Sequence, residues 1–150
     1  MKRRWVLAGA MAALLAAAAI RAAAREICSE GALARLPREL IAADNRRDLS
    51  AVLRLYAEDA VWFPPSGEPV SRKPDIADRY RELFRSQPAL EIEVLGTTFG
   101  GEHGVAWGRT HGSVQAAGGE VRIVDDAFAL AARCEAGAWK VTLLAWHPAG

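Results

Sequence analysis

The hydrophobic period of this chain changes at Pro88. Before it, apolar residues recur at helical spacing: Leu33, Leu36, Leu40 and Ile41, then Leu49, Val52, Leu53 and Tyr56, then Ile76, Tyr80, Leu83 and Phe84. After it they alternate, Leu90, Ile92 and Val94 being separated by Glu91 and Glu93. A period of 3.6 residues buries one stripe of a helix, and a period of two buries one face of a strand. With one short strand at Val61-Trp62-Phe63, this order predicts three helices followed by four antiparallel strands, an α+β plan with the helices on one face of a curved sheet. Alternating β-α units are absent, which excludes doubly wound folds.

The breaks are legible as well. Residues 29–47 read as a first helix, in which Pro37 either starts a new helix or kinks a longer one. Asp48-Leu49-Ser50 opens a second helix that runs through Tyr56, and Asp59-Ala60 ends it. "PPSGEP" is a loop, Pro74 fits a first helical position, and Pro88 stops the third helix. At 150 residues the chain holds one domain.

Residues 1–24 carry Lys2, Arg3 and Arg4, an apolar run from Trp5 to Ile20, and Ala22-Ala23-Ala24 before Arg25. That is the pattern of a cleaved signal peptide, with an uncleaved anchor as the alternative; the run is short for a span, which needs about 20 apolar residues. The exported chain is then 25–150, periplasmic or secreted, and off the membrane after cleavage. Its two cysteines, Cys28 and Cys134, are expected to form a disulfide in an oxidising compartment, the alternative being two buried thiols. With 19 basic and 18 acidic residues, the chain lacks the basic excess that nucleic-acid binding needs.

Residues 104–130 read as a hairpin about Gly118-Gly119. A two-residue Gly-Gly turn sets His111 opposite Asp126, Arg109 opposite Phe128 and Trp107 opposite Leu130, within about 5 Å at Cβ. One face then carries these six residues. The other carries Gly108, Thr110, Gly112, Ile123, Asp125, Ala127 and Ala129. Aromatic and charged groups interleaved suit a lined cavity under the helices, the alternative being a plain wetted face. The small-residue face would lie outside and pack on a second copy, giving a homodimer. A one-residue slip would break the pairing.

"DNRRDLSAVLRLYAEDAVWFPPSGEPVSRKPDI" and the final "GAWKVTLLAWH" resemble the SnoaL-like branch of the nuclear transport factor 2-like superfamily. The resemblance covers about residues 33–147. It implies a cone-shaped fold, three N-terminal helices packed on a strongly curved, mostly antiparallel sheet, with a deep pocket and often a homodimer. Family members include polyketide cyclases, ketosteroid isomerases, dehydratases and epoxide hydrolases. Beside the isomerases, Asp126 falls at their protonated aspartic acid and Tyr80 near a network tyrosine. Their base falls at Pro64 and their helix-one tyrosine at Leu40, so steroid isomerisation is not implied. Trp62, Trp107, Arg109, His111 and Trp146 fall on pocket-facing positions.

His111 with Asp126 is the candidate acid–base pair, for isomerisation, cyclisation or dehydration; a purely structural pair is the alternative. Arg109 would hold a substrate carboxylate, or pair with Asp126 or Glu93. Tyr56, Trp62, Tyr80, Trp107, Phe128 and Trp146 are the candidate ligand contacts, with core packing as the alternative. The expected partner is a small apolar or carboxylate-bearing molecule, and a non-enzymatic binding or dimerisation module is the other function class. Three well-spread histidines offer no metal-ligand spacing, and no phosphate loop or nucleophile elbow is present, so neither metal nor cofactor is expected.

Overall fold

The computed structural model describes residues 28–148. The expected signal peptide, residues 1–24, lies outside them. Three helices, α1 (Glu30–Asn45), α2 (Leu49–Leu55) and α3 (Lys73–Leu83), pack on one face of a six-stranded sheet. The strands are β1 (Tyr56–Phe63), β2 (Val70–Ser71), β3 (Gln87–Gly100), β4 (His103–Gln115), β5 (Val121–Glu135) and β6 (Ala138–Pro148), in the order β2-β1-β6-β5-β4-β3. All neighbours are antiparallel except β1 and β6. Among the described residues no helix is long and apolar enough to cross a membrane.

Ser29 Oγ accepts from the Ala32 N–H at 3.2 Å and starts α1. The helix runs unbroken past Pro37, which is buried along with Leu33, Leu36, Leu40 and Ile41. Packing of this stripe outweighs the hydrogen bond that proline removes. Asp48 Oδ1 caps α2 by accepting from Ala51 N–H at 2.9 Å. That helix ends at Leu55, not beyond Tyr56 as expected, because Tyr56 already pairs in parallel with Val141 of β6. The pairing resumes at Val61–Leu143 after an irregularity. Pro88 lies inside β3, not before it; β3 is an edge strand, where a missing N–H leaves no ladder bond unmade.

The hairpin corrects the expected register. Ala116 and Glu120 close it, with Ala116 N–H donating to Glu120 O at 2.8 Å and Gly119 N–H donating to Ala116 O at 2.9 Å. The loop is therefore Ala117-Gly118-Gly119, a turn followed by Gly119 at φ 87°. One extra loop residue moves every pair by one. His111 faces Asp125, Arg109 faces Ala127, and Trp107 faces Ala129, while Thr110 faces Asp126. The β5 residues Asp126, Phe128 and Leu130 point inward as expected, but β4 is turned over. Gly104, Ala106, Gly108 and Thr110 are buried, and Trp107, Arg109 and His111 lie outside. The small residues face inward because their surroundings leave no room: a Cβ on Gly104 would stand 2.6 Å from Leu33 Cδ2 of α1, and one on Gly108 1.9 Å from the Glu93 carbonyl oxygen of the neighbouring β3.

Cys28 and Cys134 form the expected disulfide, tying the start of α1 to the end of β5 across 106 residues. Closing a loop of that size stabilises by about 4–5 kcal/mol in the chain-entropy account. Trp139 Nε1–H donates to Ser29 O at 3.0 Å beside it.

Candidate functional site

At the opposite end of α1, the side chain of Asn45 acts as a peptide unit against the free edge of β3. Its Nδ2 donates to Leu90 O at 2.8 Å, and its Oδ1 accepts from Leu90 N–H at 2.9 Å. This clamp fixes the last turn of α1, and the preceding residue, Asp44, lines a cavity of about 340 Å³ between helices and sheet. That volume falls in the range of small-molecule sites. Most of its wall is apolar: Ile41, Leu83, Phe84, Leu90, Val124 and Trp146 contribute. Pro64, where the family resemblance sets a base, also lines it and brings no titratable group.

The polar wall is small. Asp44 Oδ1, Trp62 Nε1 and Thr110 Oγ1 are sealed from solvent and have no hydrogen-bond partner among the described residues, and all three residues line the cavity. A buried polar atom without a partner costs about 1–3 kcal/mol, so each is poised to gain from a ligand atom. Burial pushes the Asp44 carboxyl up to about 8, so it is mostly neutral, and a hydrogen-bond donor, at pH 7. Asp126, 5% exposed and paired in register with Thr110, is the second acid. Burial raises its carboxyl too, opposed by the charges of Arg122 and His147 and reinforced by Asp125.

An aromatic stack forms part of the lining. Trp62 lies on Tyr80 with ring centroids 4.8 Å apart and planes 11° from parallel. The Tyr80 and Tyr56 hydroxyls are 3.1 Å apart. Burial pushes both phenols up, and the Asp44 charge adds to the rise at each.

Of the residues expected at the site, Asp126, Trp62, Tyr80 and Trp146 line the cavity. Tyr56 and Phe128 are core, Phe128 packing at 5.6 Å against Trp146 from behind. His111, Arg109 and Trp107 lie on the other side of the sheet. His111 Nδ1 is 3.2 Å from Asp125 Oδ1, and Arg109 Nη2 donates to the same oxygen at 3.1 Å. The expected His111–Asp126 pair therefore does not form, for the reason of register already given. Asp44, Thr110 and Arg122 were missed. Asp44 had a signal, since it follows Leu40 and Ile41 by four and three residues and so shares their buried stripe. Thr110 had none independent of the register.

The family model described as SnoaL-like domain matches residues 38–141. Among curated protein sequences none matches the chain. A ketosteroid isomerase-like protein from Erwinia carotovora atroseptica superposes with a TM-score of 0.75 at 19% identity, over 81% of this chain and 96% of that one. A candidate aromatic ring hydroxylase from Novosphingobium aromaticivorans gives 0.72 at 17%, over 81% and 89%. A candidate dehydratase of the NTF2-like family from Streptomyces avermitilis gives 0.68 at 11%, over 81% and 96%. At such identities these likenesses establish the cone fold alone.

Proposed function

The chain belongs to the SnoaL-like domain family, and from that premise we propose that it binds a small apolar molecule in the cavity and moves a proton on it. The observation that carries this reading is the set of three sealed, unpartnered polar atoms on an otherwise apolar wall. Trp62 Nε1–H is a donor only, Thr110 can donate, and neutral Asp44 donates once. Such a set suits an oxygen acceptor on the ligand, and still more an oxygen that gains negative charge during reaction. Asp126 is the second carboxyl, and the upward push of burial on it makes it a stronger base than an exposed carboxylate. Two acids in different surroundings support a division of labour, Asp44 donating and Asp126 abstracting, of the kind isomerisation, cyclisation or dehydration requires.

Calorimetry with matched apolar ketones and hydrocarbons tests the reading. The ketone binds more tightly, and Trp62→Phe reduces its affinity about tenfold while leaving the hydrocarbon unchanged. Equal affinity for ketone and hydrocarbon in the unaltered protein would sink it.

Export and dimerisation belong to the same proposal. A disulfide supports an oxidising compartment. The outer sheet face, with Ile123 74% exposed, Leu95 57%, Trp107 41%, Val105 38% and Leu143 37%, supports packing on a second copy.

A further inference from the structure

Two cations line the cavity, Arg79 and Arg122. Arg79 is committed: its Nη1 donates to Glu82 Oε2 at 2.9 Å and its Nη2 to Ser66 O at 3.5 Å. Arg122 takes part in none of the ion pairs among the described residues. It stands near the hairpin tip, paired in register with Val114, which also lines the cavity. It shares the inward parity of Val124 and Asp126 but is itself exposed. Its charge reaches inward: of the charges acting on the Asp126 carboxyl, Arg122 acts most strongly.

The cavity therefore has a direction. Its buried wall holds two acids, Asp44 and Asp126, and its exposed lining holds an unpaired guanidinium. An anionic group deep inside would face those acids and lose its water, which is costly. The same group at the mouth keeps part of its hydration and meets a planar fork of N–H donors that matches a carboxylate. We propose that Arg122 determines specificity, holding at the mouth the carboxylate of a ligand whose apolar body fills the cavity. This rests on the reading of the cavity as a ligand site.

The test uses two matched pairs of probes, naphthalene-2-carboxylate with naphthalene-2-carboxamide and decanoate with decanamide, titrated by calorimetry against the unaltered protein, Arg122→Gln and Arg122→Lys. The unaltered protein prefers each carboxylate over its amide by about tenfold. Arg122→Gln abolishes that preference while keeping the amide affinity, and Arg122→Lys retains part of it. A preference that survives in Arg122→Gln overturns the proposal. So does binding of the amides with no preference for the carboxylates, which leaves the cavity reading standing. If neither class binds, the cavity reading fails and this proposal with it.

Discussion

Asp44 carries the largest consequence of any single side chain on the cavity wall. It sits at the end of an apolar stripe, with one oxygen sealed and unpartnered, and its carboxyl is pushed up to about 8 by burial. An unfolded aspartic acid titrates near about 3.9. The folded protein thus binds this proton more tightly than the unfolded chain does. The residue is neutral in both states below about pH 4, and ionisation favours unfolding progressively as pH rises towards about 8. Asp44→Asn removes that penalty. The variant should melt above the unaltered protein at pH 8, by up to about 3 kcal/mol in stability after allowing for partial exposure, with the difference closing by pH 4. Melting curves of both proteins across that range check it, and a pH-independent difference would mean that the carboxyl titrates in its ordinary range.

Among the elements, the β4–β5 hairpin decides most. A two-residue Gly-Gly loop and the three-residue Ala117-Gly118-Gly119 loop differ by one residue, yet they turn opposite faces of β4 to the cavity. The two turns also demand different things of their glycines. A two-residue turn with both central residues at positive φ needs glycine at 118 and at 119 alike. In the observed loop only Gly119 has positive φ, 87°, and a Cβ at either position would meet nothing within 4 Å. Gly119→Ala should therefore destabilise by about 1 kcal/mol through the backbone alone, and Gly118→Ala by less than about 0.5 kcal/mol. Urea denaturation of the two variants separates the turns. Equal losses at both positions would restore the two-residue loop and, with it, the His111–Asp126 pair.

At the scale of the whole molecule, the helices cover one face of the sheet and leave the other bare, with Ile123, Leu95, Trp107, Val105 and Leu143 exposed. The proposed homodimer buries this face, so the unaltered protein should sediment as a dimer at tens of micromolar, and Ile123→Glu should shift it to monomer by setting a charge in an apolar contact. A monomer mass for the unaltered protein would remove the outer face as an interface between copies. The amino-acid sequence by itself determined the helical stripes, the change of period, the α+β plan with helices on one face of a curved sheet, and the pairing of Cys28 with Cys134, because these are written in local spacing or in a cysteine count; the cone was implied by the family resemblance. It also pointed Asp126, Phe128 and Leu130 inward. Only the tertiary structure decided which face of β4 joins them. That choice depends on one loop residue and on the close approach of Leu33 over Gly104, and neither leaves a periodic trace. The parallel contact of Tyr56 with Val141, which ends α2 early, is likewise a meeting of segments far apart in the chain. The cavity follows from both, since its polar wall is assembled from α1, β1, β4 and β5, and no one segment contains enough of it to be recognised.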